Sequence, residues 1–383
     1  MTSKKEISKK NEQTKNTSDK INKELEKLVQ EKNEIGLQVA AYLDGKLVVD
    51  SWAGMADESS QRPVDRDTLF PTFSISKGIT ATCIHILADR GMLDYDTSVA
   101  HYWPEFGAAG KKDVTIRHVL THQSGISSDP KDLDLKMMLD WDIVRELVEE
   151  LELRWEPGTK IAYLPLSYGW ILGEVVRRVY GESISVFLQE EICKPLDIDG
   201  LYFGVPTSEE EKIATLKNAP GLREYAARFG LPLDHPMSDT AATFNRSDVR
   251  RAVLPGAGAI ANARSLARHY AMLAYGGELD GVRILSSELI YDAASTQDED
   301  PEKAEIRWWS SHGLGYTLGG GPGPREDLPN SFGYEGIGTL AFADPDRNFS
   351  FALLKNFLDE SHPNEFYKVE HILNKVQGVL GIE

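Results

Sequence analysis

The segment "PTFSISKGIT", residues 71–80, sets Ser74 and Lys77 three positions apart at the head of a long apolar run. On a helix, residues i and i+3 share a face, so the Lys77 amine can reach the Ser74 hydroxyl. Burial disfavours a lysine's charged form, which lets it act as a base near neutral pH. A nucleophile at a helix N-terminus also meets backbone N–H groups and the positive end of the helix dipole, both suited to developing negative charge. The spacing therefore fits a serine nucleophile with a lysine base. It fits equally a capping serine followed by a lysine that extends to solvent. The same tetrapeptide pattern recurs as Ser128-Asp129-Pro130-Lys131 in a loop, and only Ser74 opens an apolar helix.

Tyr163, in "WEPGTKIAYLPLSYGWILGEVV", follows a Glu156-Pro157-Gly158 turn and precedes a helix that starts near Leu166. A tyrosine held in such a loop can relay a proton to a leaving group; it can also be a core tyrosine with a satisfied hydroxyl. His118 and His122 lie four apart, as in some metal sites, but no glutamate completes an H-E-x-x-H pattern, and no metal is expected. Ser124 in "THQSGI" lacks the G-x-S-x-G setting of a Ser-His-Asp hydrolase. Cys83 and Cys193 form no CxxC pair, which argues against a disulfide framework and a thiolate metal site.

The elements that must hold these residues can be read along the chain. Residues 1–17 are polar and lysine-rich and read as a disordered tail. Ser18 or Asp19 can cap a helix with Ile21, Leu25, Leu28 and Val29 on one face. "LQVAAYLDGKLVVDSWAG" reads as two strands around an Asp44-Gly45 turn. "SISKGITATCIHILADRG" is apolar almost all round, as a central buried helix is, with Gly91 as its stop. Helical patterns then prevail to about residue 300, before "GTLAFADPDRNFSFALLKN" gives two more strands and "EFYKVEHILNKVQGVLG" an amphipathic helix. Strands at both ends predict one antiparallel sheet flanked by helices, an α/β (α+β) fold. Residues 18–93 and 305–383 would form that sheet domain, with 94–304 a mostly helical insertion and the site between them.

Composition narrows the ligand. The 383 residues carry 42 basic and 60 acidic side chains, a formal charge of -18, which would repel nucleic acid and anionic membrane surfaces. A neutral small molecule fits better. There is no apolar leader and no apolar run of membrane-spanning length, so a cytoplasmic protein without a membrane partner is expected. The sequence does not specify an oligomeric state.

Taken in order, five segments resemble the serine β-lactamase and penicillin-binding-protein superfamily, in particular the class C β-lactamase-like branch that includes the family VIII carboxylesterases. They are "FSISKGITATCIHILADRGMLDYD", "VTIRHVLTHQSGI", "EPGTKIAYLPLSYGWILGEVV", "PGAGAIANARSLARHYAMLAYGGELDGVRIL" and "FGYEGIGTLAFADPD", collinear over roughly residues 37–378. The resemblance implies a β-lactamase/transpeptidase-like fold, no cofactor, Ser74 as the acylated nucleophile, Lys77 as its base and Tyr163 as proton partner. It also implies an oxyanion hole from the backbone N–H groups of Ser74 and Ile337, and substrate contacts at Tyr334 and Gly336. Two departures bear on substrate. Pro165 stands where the β-lactamases carry an asparagine, and Tyr334 where they carry a lysine or histidine. Both missing groups contact a β-lactam, whereas the carboxylesterase branch commonly has an aromatic residue at the second position. Short-chain ester hydrolysis is the expected activity, with β-lactamase, D-amino peptidase or acyltransferase chemistry as alternatives on the same acyl-enzyme.

Overall fold

The computed structural model describes residues 4–31, 34–131, 133–220, 222, 238–297, 312–321, 323–359 and 367–382. Helix α1 spans Lys4–Gln30 and leads into strands β1 (Gly36–Leu43) and β2 (Lys46–Asp57). Asp44 and Gly45 both take positive φ, 49° and 69°, as a two-residue hairpin turn demands. After β3 (Arg62–Pro63) comes α2 (Ile75–Asp89), and further on α3 (Ser167–Tyr180) and α4 (Ala263–Ala274). The chain closes with β4 (Thr317–Leu318), β5 (Phe332–Gly336), β6 (Thr339–Asp344), β7 (Phe349–Lys355) and α5 (Tyr367–Leu380).

These seven strands form one antiparallel sheet in the order β4-β5-β6-β7-β1-β2-β3. Its centre is the pairing of β1 with β7, from Leu37 opposite Lys355 to Leu43 opposite Phe349, so the two ends of the chain meet in one ladder. The two-residue period of the strands divides the side chains between faces. Val39, Ala41, Phe342 and Phe351 pack with Ile21 and Leu25 of α1 and Ile372 and Val376 of α5. Ala40, Ala341 and Ala352 face the larger core with α2, α3 and α4. Small residues on that face let α4 approach closely, and Ser350 Oγ donates to the Ala267 carbonyl at 2.7 Å. A buried phenylalanine such as Phe351 contributes roughly 1.5–3 kcal/mol by transfer from water.

The fold departs from the sequence reading in three places. Helix α1 begins at Lys4, so residues 4–17, read as a disordered tail, are helical. Lysine, glutamate and glutamine lose little rotamer freedom in a helix, which extends it beyond the turns that pack. Ser18 and Asp19 consequently cap nothing; Ser18 Oγ accepts from the Asp50 N–H at 3.0 Å. Third, the stretch read as a helical insertion supplies two strands of a second, small sheet, with Ala259–Ala261 between Leu201–Phe203 and Phe70–Pro71 of the first segment. The 304/305 boundary lies outside the described residues. Both cysteines are buried and free. Among the described residues no helix is long and apolar enough to cross a membrane.

Candidate active site

Phe73 precedes the nucleophile and takes φ 51°, a left-handed conformation that costs an ordinary L-residue roughly 1–2 kcal/mol. Its neighbours hold it there. Ser76 Oγ donates to the Phe73 carbonyl at 2.5 Å and accepts from the Ala259 N–H at 2.9 Å, and the Phe73 ring packs edge-on against Phe244 at 5.3 Å. The second serine of the segment is therefore structural. Ser74 follows at the start of α2, and its side chain makes no capping hydrogen bond. Its Oγ lies 2.5 Å from the Tyr163 hydroxyl and 3.3 Å from Lys77 Nζ. The capping alternative is thereby removed.

Lys77 does not reach solvent: it is 0% exposed. Its Nζ donates to the Pro165 carbonyl at 2.9 Å and to the Gly256 carbonyl at 2.7 Å. Those two carbonyls converge because the backbone of α3 and the 255–258 turn touch. A Cβ on Gly169 would lie 2.0 Å from the Gly256 nitrogen, and one on Gly256 would lie 2.8 Å from the Pro165 oxygen. Burial lowers the Lys77 pKa to about 7, against the opposing pull of the Asp129 charge. A substantial fraction of Lys77 is then neutral near pH 7, with a lone pair available to Ser74.

Tyr163 is fixed from both sides of its loop. The Ala162 N–H donates to the His122 carbonyl at 2.8 Å, and the Leu164 N–H donates to His122 Nδ1 at 3.3 Å. Beyond it, the Asp129 carboxylate accepts from the Ser167 N–H and Oγ, each at 2.7 Å, and from the Leu166 N–H at 3.1 Å. Asp129 thus ties down the first turn of α3, where free N–H groups and the dipole favour an anion. Lys77 Nζ lies 4.6 Å from the centre of the Tyr163 ring.

The pocket strand β5 reaches the same place. A Cβ on Gly336 would fall 2.6 Å from the Thr72 carbonyl, so only glycine lets the strand lie against the segment that leads to Ser74. Ile337 comes next, in the turn to β6. Tyr334 is 4% exposed; its hydroxyl lies 3.1 Å from His122 Nε2, and burial, helped by Tyr163, raises its pKa well above the ordinary value. His118 and His122 have separate tasks. His118 closes a capping box with Thr115 at the start of its short helix, while His122 faces Tyr334. Among the described residues no three histidine, cysteine or carboxylate side chains gather as metal ligands.

The sequence pattern of the Beta-lactamase family, described as Beta-lactamase, matches residues 21–373. The chain belongs to this family. It is 35% identical over 342 residues to "Esterase/beta-lactamase LipL" of Mycobacterium tuberculosis, covering 84% of this chain and 77% of that one. "Esterase EstB" of Burkholderia gladioli is 28% identical over 202 residues, about half of each chain (49% and 51%). Among solved structures, a family VIII carboxylesterase superposes with a TM-score of 0.82 at 31% identity, over 96% of this chain and 98% of that one. The protein is thus a β-lactamase-family serine hydrolase with esterases among its relatives, and its fold is the β-lactamase/transpeptidase fold.

Ser74, Lys77, Tyr163, Tyr334, Gly336 and Ile337 all belong to segments that meet around the head of α2. Sequence reasoning missed four parts of this β-lactamase-family site. The carbonyls of Pro165 and Gly256 carry no side-chain signal. Asp129 was hidden inside the second Ser-x-x-Lys match, and its partners at Leu166 and Ser167 lie too far along the chain for a local pattern to reveal. His122 was weighed only as a metal ligand.

Proposed function

We propose that the chain hydrolyses short-chain carboxylic esters through an acyl-enzyme on Ser74. The observation that carries the reading is the buried Lys77 amine, held by two carbonyls and set 3.3 Å from Ser74 Oγ. A carbonyl oxygen only accepts, so the two hydrogens of a neutral amine go to Pro165 and Gly256 and the lone pair is left for the serine. Lys77 takes the Ser74 proton as Oγ bonds to the ester carbonyl carbon. The carbonyl oxygen, now negative, is received by the N–H groups of Ser74, at the head of α2, and Ile337, in the turn beyond Gly336. As the C–O bond of the alcohol breaks, Tyr163 gives its proton to the leaving oxygen and regains one from the Lys77 ammonium. Water then attacks the acyl carbon, gives a proton to the same pair, and releases the acid as Ser74 recovers its hydrogen.

Two features favour neutral esters over β-lactams. Pro165 offers no side-chain amide, and the place of a cation holds Tyr334, whose hydroxyl is engaged with His122. A β-lactam's amide and carboxylate would be desolvated without partners, at roughly 1–3 kcal/mol for each polar group. The -18 charge also slows the approach of anions at low salt. The test is p-nitrophenyl acetate and butyrate beside a chromogenic cephalosporin, with intact mass recording the acylated species. Faster ester turnover and an acyl adduct on Ser74 are expected. Efficient cephalosporin turnover with weak ester hydrolysis would overturn the reading in favour of a β-lactamase.

A further inference from the structure

The hydrogen bonds around Tyr163 end on groups that can play one role each. At one end, the Leu164 backbone N–H can only donate, and its partner is His122 Nδ1 at 3.3 Å. A neutral imidazole with an accepting Nδ1 carries its hydrogen on Nε2. Burial, helped by His312 and Lys77, holds His122 well below its ordinary pKa, in that neutral form. Nε2–H therefore donates to Tyr334 Oη at 3.1 Å. Tyr334, its oxygen thus engaged as an acceptor, has its own hydrogen to give, and Tyr163, which together with burial keeps the Tyr334 hydroxyl protonated, is the neighbour that can take it. At the other end stand the Pro165 and Gly256 carbonyls, which can only accept from Lys77.

We propose that His122 is a positioning residue that sets the direction of the catalytic hydrogen-bond chain: His122 donates to Tyr334, Tyr334 to Tyr163, Tyr163 to Ser74, and Ser74 to Lys77. This order of donation satisfies the His122–Tyr334, Tyr163–Ser74 and Ser74–Lys77 contacts between the two fixed ends. It deepens the ester-hydrolase reading and rests on it. Its consequence falls on the leaving group. When Tyr163 releases its proton to the departing alkoxide, negative charge grows on its oxygen, and the hydrogen bond from Tyr334 stabilises that charge. No atom of His122 need touch substrate. Without the Nε2–H donor, the Tyr334 hydrogen is no longer committed to Tyr163.

The leaving group therefore supplies a readout that simple loosening of the site would not move. An alkyl ester needs the proton from Tyr163, whereas p-nitrophenolate departs without it. His122→Asn is the variant of choice, because His122 has φ 58° and asparagine tolerates that conformation well. Its short amide can keep the Leu164 N–H but falls short of Tyr334. Tyr334→Phe removes the next link and gives the same test should the first variant fold poorly. Both variants should lose roughly 10- to 100-fold in kcat on ethyl butyrate, with KM little changed, and only a few-fold on p-nitrophenyl butyrate. The double variant should be no worse than the poorer single one. Equal losses on the two esters in a folded variant, or losses that multiply in the double variant, would overturn the proposal. Wild-type rates on the two esters test the ester reading; the ratio of the losses tests this one.

Discussion

The Ser-x-x-Lys pattern occurs twice in this molecule, and the two copies meet opposite environments. Ser128 and Lys131 are exposed on a loop. Ser74 and Lys77 stand at the head of a buried helix, where Lys77 has lost all contact with solvent and gained two backbone carbonyls. Residue type and spacing are the same; desolvation and fixed partners differ. The difference teaches that the motif becomes chemistry only where a buried helix imposes both. Yet the loop copy is not idle, because Asp129 inside it anchors the start of α3 and hence the Tyr163 loop.

The comparison can be broken at several points. The largest effect is expected from Ser74→Ala, which should abolish ester hydrolysis by about 10⁴-fold or more in kcat while far-UV circular dichroism stays unchanged. Comparable activity in the folded variant would remove Ser74 from the mechanism. Lys77→Ala should slow acylation by about 10²- to 10⁴-fold, measured as the pre-steady-state release of p-nitrophenol, and Tyr163→Phe should lose a similar factor on ethyl butyrate, whose alkoxide needs the Tyr163 proton. Because both serve one proton relay, the double variant should be little worse than the poorer single one, and fully multiplied losses would mean independent action.

The charge state of Lys77 gives a pH test. With its pKa lowered to about 7 and the neutral amine the active form, kcat/KM should rise with pH through about 7 and level off above it. Asp129 sharpens this. Its charge favours the Lys77 cation, so Asp129→Asn should move that limb to lower pH. Asp129→Ala should cost about 0.5–2 kcal/mol of stability as a lost helix cap, read by urea titration, and roughly 10- to 100-fold in kcat as the Tyr163 loop loosens. An unmoved limb in the asparagine variant would show that the two groups do not couple. The smallest effect belongs to Ser128→Ala, expected within about 0.5 kcal/mol of wild type and without change in rate.

The loop copy also marks how far the sequence could be read. The strands around Asp44-Gly45 and Asp344-Pro345-Asp346, the buried helix from Ile75 and the joining of both chain ends in one sheet were all legible, because periodicity and turn residues are local properties of the chain. The extent of α1 was not, since polar residues of good helical propensity and a disordered tail share one composition.

By itself, the sequence determined that Ser74, Lys77 and Tyr163 were available and that a buried helix would carry the first two, and its resemblance to the β-lactamases implied that Pro165 and Tyr334 stand where those carry polar groups. Tertiary structure alone decided what those residues became. Backbone carbonyls from Pro165 and Gly256, 91 positions apart in the numbering, meet at one amine, and no residue code announces a carbonyl. His122 acquires its tautomer from the Leu164 N–H and its task from Tyr334, 212 positions away. The lysine's lowered pKa likewise follows from desolvation, which depends on what the rest of the chain packs around it.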